Sequence, residues 1–200
     1  VKQSNADLVR QYVNTRISGM VQSYSKPMID ATLAKLRRGI GKAPGSLPEL
    51  WDITLEGLPE SLLSKNDRPS YGEWAVYSAL TLFALHQQGK DIKNQCMHES
   101  NVSLGQAMRQ LINRNLERED AIKRRFVTAV TAESYEELTW HLRGLIQLLR
   151  TDEIKLDYSR LAKDLFHFQI PNYRDGIRLQ WGRDFYRYSS DQQSDSNPKN

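Results

Sequence analysis

From Trp74 to His86 the chain sets Trp74, Val76, Tyr77, Leu80, Leu82, Phe83 and Leu85 around most of a helix circumference. A helix that is apolar on all sides has no face to offer water, so other elements must enclose it. Ser70-Tyr71-Gly72-Glu73 just ahead is a capping-box pattern, which starts a helix by satisfying its first free N–H groups. The remaining chain must supply the wrapping.

It supplies helices. Apolar residues recur at three- and four-residue steps nearly throughout, and no alternating Val/Ile/Thr-rich run lies between turn signals. The expectation is an all-α bundle of about eight to nine helices, with N-terminal and C-terminal helical parts packed together. A first helix is predicted over 6–24, with Val9, Val13, Ile17, Met20 and Tyr24 along one side, before Pro27 interrupts. A second buries Ile29, Leu33, Leu36 and Ile40 and ends in the turn of Gly39, Gly41, Pro44 and Gly45. Prolines 48, 59 and 69 allow only short helical turns over 47–69.

Beyond the central helix, residues 88–102 are polar and read as an exposed loop. Ser103-Leu104-Gly105-Gln106 and Ser134-Tyr135-Glu136-Glu137 repeat the capping signal. Between them, Ile122, Phe126, Ala129 and Val130 mark a helix over 118–130; after the second cap, Leu138, Leu142, Leu145 and Leu149 define an inward stripe. Asp157 suits the N-cap of a helix through Phe168, and Pro171 the first turn of a last helix burying Ile177, Trp181, Phe185 and Tyr188. The predicted organisation is residues 1–90, an N-terminal helical part; 91–102, an exposed loop; 103–188, a C-terminal helical part; and 189–200, a disordered tail rich in Ser, Asn, Gln and Asp.

Several function classes lose support. No apolar run approaches the roughly 18 residues of a spanning helix, and Val1–Arg10 has no leader pattern. The lone Cys96 cannot close an internal disulfide, which fits a cytoplasmic protein. His86, His98, His141 and His167 are scattered, so neither a metal nor another cofactor is expected; His98 with Cys96 and Glu99 comes nearest to a ligand set. Gly39-Ile40-Gly41-Lys42 is not a phosphate loop, since Leu36 stands where the upstream glycine belongs and Ala43 where a Ser or Thr belongs. Asp157 and Asp164 could pair for acid/base work, but no nucleophile accompanies them, so no enzyme is expected.

Charge is the remaining signal. Lys plus Arg exceed Asp plus Glu by 28 to 24, an excess small enough that only clustering is diagnostic. Lys35, Arg37, Arg38 and Lys42 have no acidic residue between them in the chain, whereas Lys123, Arg124 and Arg125 follow Glu117, Glu119 and Asp120, which can neutralise part of their charge. Arg143 lies on the outer side of its helix, as do Arg183 and Arg187 on theirs. Such clusters bind nucleic acid by neutralising phosphates and releasing counterions; a solvated helix face is the competing reading. Trp140, on the polar side of its helix, is the one candidate for stacking a base. Burial by a second helix or a partner subunit is the commoner fate of such a residue and is the expectation here.

The ordered set Ala34-Lys35-Leu36-Arg37-Arg38-Gly39 with Gly41-Lys42-Ala43-Pro44, Leu80 to Gln87, Ser103-Leu104-Gly105, Arg124-Arg125-Phe126, His141-Leu142-Arg143, and Asp157-Tyr158 with Leu161-Ala162 and Asp164-Leu165 resembles the CasB-family small subunit of the type I-E CRISPR surveillance complex, Cascade. The stretch to Pro27 and the loop over 88–101 depart from the family pattern. The resemblance implies an all-helical, non-catalytic antiviral subunit present as two adjoining copies. It also implies partners: crRNA, the target and displaced DNA strands, and other Cascade subunits, with basic surface stabilising the R-loop. Arg37, Arg38, Arg124, Arg125 and Arg143 match basic positions of that pattern; Lys35, Lys42, Lys123, Arg183 and Arg187 join them by clustering alone. A helical scaffold making only protein contacts is the alternative. An independent helix-turn-helix regulator is a third reading, but no short turn joining two helices compels it.

Overall fold

The computed structural model describes residues 3–194, with side chains to Arg187. Among the described residues there are nine α-helices and no strand: α1 (Asn5–Ser23), α2 (Lys26–Arg38), α3 (Trp51–Thr54), α4 (Tyr71–His86), α5 (Leu104–Arg114), α6 (Glu119–Val130), α7 (Tyr135–Thr151), α8 (Tyr158–Phe168) and α9 (Pro171–Ser194). The only ladder contact among them is an isolated parallel bridge between His98 and Leu156.

α4 is the axis, as its apolar circumference requires. Residues 75–86 are all buried, and α1, α2, α7 and α8 pack around them. Its start is a true capping box, with the Ser70 hydroxyl accepting the Glu73 N–H at 3.0 Å and the Glu73 carboxylate accepting the Ser70 N–H at 2.6 Å. α5 begins the same way at Ser103 and Gln106. At α7 only half the pattern forms: Ser134 accepts the Glu137 N–H, but Glu137 turns back to the N–H of Glu133 at 2.8 Å.

Residues on both sides of the 91–102 segment feed one apolar cluster that runs from Val9 to Phe185. α1 lies along α8, where Lys163 meets Asp7 at 2.6 Å. α5 lies against α9 so closely that a Cβ at Gly105 would collide with the Trp181 carbonyl and the Phe185 nitrogen.

The structure corrects three expectations. Pro27 does not interrupt but sits in the first turn of α2, where its missing N–H costs nothing. Residues 88–102 are not uniformly exposed, since Ile92 and Met97 are each 1% exposed and Gln87 ties the segment down through Met97 N–H and the carbonyls of Lys90 and Gln95. Two isolated apolar residues in a polar run have no period to reveal them. Finally, α9 extends to Ser194, past the expected start of the tail, because adding a turn to an existing helix costs far less than nucleating one. The Tyr188 side chain and residues 195–200 lie outside the described residues.

Candidate nucleic-acid interface

α6 and α7 pack side by side. α6 buries Ile122, Phe126 and Ala129, and α7 buries Leu138, Leu142, Leu145, Ile146 and Leu149. With the apolar stripes committed inward, the helical repeat leaves Lys123, Arg124, Arg125 and Arg143 exposed. Arg124, Arg125, Thr128, Trp140, His141 and Arg143 line a hollow of 540 Å³ between the two helices. A second hollow, of 370 Å³, adjoins it where α7 meets α4 and the turn after α2; Lys42, Trp74, Tyr77, Glu136, Trp140 and Arg143 are among its walls. Trp140 and Arg143 belong to both. A third hollow, lined by Asp120, Lys123, Arg124, Val127 and Thr128, continues the series along α6 and shares Arg124 and Thr128 with the first.

The turn after α2 reaches this surface because it is docked on the central helix. The Tyr77 hydroxyl donates to the Gly39 carbonyl at 3.0 Å, and a Cβ at Gly39 would press into that hydroxyl and into Leu50. Gly41 then turns the chain with φ +76, a conformation that suits glycine. Lys42 is thereby carried to the wall of the second hollow.

Among the described residues, Lys42, Arg124, Arg125 and Arg143 form no ion pair with Asp or Glu. Lys123 places its ammonium 5.7 Å from the centre of the Tyr186 ring. Asp120 and Glu136 are the carboxylates lining the three hollows, against Lys42, Lys123, Arg124, Arg125 and Arg143. The surface is therefore net positive.

The cluster that nothing acidic interrupts in the chain meets acids in space. Arg38 pairs with Glu49 at 3.3 Å. Arg37 lines a separate hollow with Lys26, Asp30, Lys90 and Asp91, where burial lowers its pKa, Asp30 opposes that and Arg150 adds to it. Lys35 is half-buried. Of that cluster only Lys42 lines the series of hollows, since successive helical residues diverge by about 100°. Arg183 and Arg187 are exposed on α9 and line none of the three. Trp140 is 72% exposed and among the described residues no helix covers it, so of its two expected covers the second helix is absent. Its three-residue spacing from Arg143 was the available signal for this surface.

Other candidate groups have structural partners. The His98 ring accepts the Tyr158 N–H at 3.1 Å, and His167 stacks on Tyr173. Asp157 accepts from the N–H groups of Arg160 and Asn101, each at 2.9 Å, and from the Ser159 hydroxyl. Burial works to raise its pKa, but these bonds prevail and lower it. Asp164 accepts the Trp181 indole N–H at 2.7 Å. Among the described residues no three His, Cys, Asp or Glu converge as metal ligands, and no helix is long and apolar enough to cross a membrane.

The family model described as CRISPR-associated protein Cse2 matches residues 32–186. CasB from Thermobifida fusca is 34% identical, with 89% of this chain and 97% of that chain covered and a TM-score of 0.74. CasB from M. ruber is 22% identical over 98% of this chain and 100% of that one, with a TM-score of 0.68. A chain of a CRISPR RNA-guided surveillance complex, 18% identical, covers 97% of this chain and 100% of its own, with a TM-score of 0.72. No curated protein matches.

Proposed function

The chain belongs to the Cse2 (CasB) family of CRISPR-associated proteins, and on that premise we propose that it is a non-catalytic small subunit of a type I-E, crRNA-guided surveillance complex that holds nucleic acid along its basic surface. The observation that carries this reading is the series of adjoining hollows in which Lys123, Arg124, Arg125, Arg143 and Lys42 succeed one another across α6, α7 and the turn after α2. A track of cations suits a polyphosphate backbone, whose counterions it displaces.

Its partners in this reading are crRNA, the target and displaced DNA strands, other subunits of the complex and a second copy of the chain. Base pairing between guide and target reads the sequence, so the subunit needs charge and shape rather than base-edge donors. Exchanging a DNA duplex for a guide–target heteroduplex is nearly balanced, and backbone contacts tip it toward the R-loop. Lys42, Arg124, Arg125 and Arg143 take the principal phosphate contacts. Lys123, whose ammonium already rests on Tyr186, and Lys35, Arg37 and Arg38 are secondary. Arg183 and Arg187 extend the cationic surface along α9.

The test is R-loop formation by the reconstituted complex carrying Lys42→Ala, Arg124→Ala, Arg125→Ala and Arg143→Ala together. The expected result is normal assembly with a less stable R-loop. Undiminished R-loops, together with cross-links from these helices to peptides but never to nucleotides, would establish the protein-contact scaffold instead.

A further inference from the structure

We propose that Trp140 is a base-stacking platform that makes this surface select unpaired over paired nucleic acid, an inference that rests on the nucleic-acid reading above and narrows it to single strands. Trp140 is the most exposed large hydrophobic residue described in the chain, at 72%. An indole left that open gains little from burial in the fold. It stands on the wall common to two hollows, with Arg124 and Arg125 lining one, Lys42 the other, and Arg143 both.

The platform is also held in place. α7 is a 17-residue helix whose neighbouring positions Leu138 and Leu142 are fully buried, so the backbone beneath Trp140 is anchored to the core. The His141 ring meets the indole edge-on, with centroids 4.9 Å apart and planes at 79°, an arrangement that restricts the ring without covering both its faces. A rigid aromatic between cations suits a strand whose phosphates run past the arginines while one base lies on the ring. In a duplex the base faces are occupied by their stacked neighbours, so the indole has nothing to receive. A protein partner could cover the same ring, but Arg124, Arg125, Arg143 and Lys42 line its two hollows against one lining carboxylate, Glu136, with Glu137 held against His141, and that excess of cations favours a polyanion.

The experiment compares the full chain with Trp140→Ala, Trp140→Phe and the triple variant Arg124→Ala/Arg125→Ala/Arg143→Ala. Each is titrated at fixed salt into a labelled oligothymidylate and into a duplex of equal length. Trp140→Ala should weaken single-strand binding about tenfold, the scale of losing one stacked base, and leave duplex binding unchanged. Trp140→Phe should keep most of the affinity, and oligothymidylate should quench the parent's tryptophan emission and quench it less in both Trp140 variants. Because the side chain is exposed, both variants should melt with the parent. If Trp140→Ala binds both probes like the parent, or loses equally on both, stacking is overturned, while a loss in the triple variant keeps the basic-surface reading intact. If the parent binds neither probe, both readings fall. If Trp140→Ala binds oligothymidylate normally but no longer enters the reconstituted complex, the ring is a protein contact and the proposal is overturned.

Discussion

Asp164 accepts the Trp181 indole N–H where almost no water reaches, and burial pushes its pKa up to about 6, although that bond and Arg160 oppose the shift. His86, wholly buried beside Tyr158, is pushed the other way, to about 4, again by burial above all. The two titrate against each other. In the unfolded chain Asp164 ionises near 3.9, so the folded state is penalised as pH rises from about 4 to 6, and the penalty is constant above that. His86 does the reverse: its folded pKa lies below the unfolded value near 6.5, so acid from about 6.5 to 4 destabilises the fold. Asp164→Asn keeps an acceptor for the indole and removes one member of this opposition. Relative to the parent, its urea midpoint should therefore rise between pH 4 and 7, by an amount equivalent to up to about 3 kcal/mol. A pH-independent difference would show that folding leaves the Asp164 pKa unshifted.

At the scale of elements, contacts between helices decide which substitutions matter. Gly105 is where α5 touches the backbone of α9. Gly105→Ala should force the two helices apart and cost about 1–3 kcal/mol, the usual cost of overpacking, read as a lower melting temperature. Gly182 on α9 is the contrast, because nothing lies within 4 Å of a Cβ built there. Gly182→Ala should therefore stabilise by up to about 1 kcal/mol through helix propensity and a restricted unfolded chain. Equal effects in the two variants would contradict the packing described. Much at this scale is legible from the chain: Ser70, Ser103, Ser134 and Asp157 do cap α4, α5, α7 and α8. The close approach at Gly105 is not legible, because Gly105 and Gly182 present the same absent side chain and differ only in what faces them.

For the whole molecule, the track of cations should appear in the salt dependence of binding. Each phosphate neutralised on a single strand contributes about −0.7 to the slope of log K against log salt. Arg124→Ala/Arg125→Ala/Arg143→Ala should thus flatten the slope by roughly 2, whereas Arg37→Ala/Arg38→Ala should change it less, since Glu49 pairs with Arg38 and Arg37 lines a separate hollow that also holds Asp30 and Asp91. An equal change in both variants would mean that the two clusters share the work. The chain by itself determined the all-helical class, the enclosed α4 and the identity of the cations, because capping and apolar periodicity are local and repeat every turn. Only tertiary structure decided which cations share a surface. Lys42 and Arg125 stand far apart in the chain and line adjoining hollows that share Trp140 and Arg143, because the turn after α2 and α7 both dock on α4 and α6 packs on α7. Arg37 and Arg38, adjacent in the chain, part because the helical repeat aims them at different neighbours. Local spacing records which side of a helix a charge occupies; what lies opposite that side depends on how the helices pack.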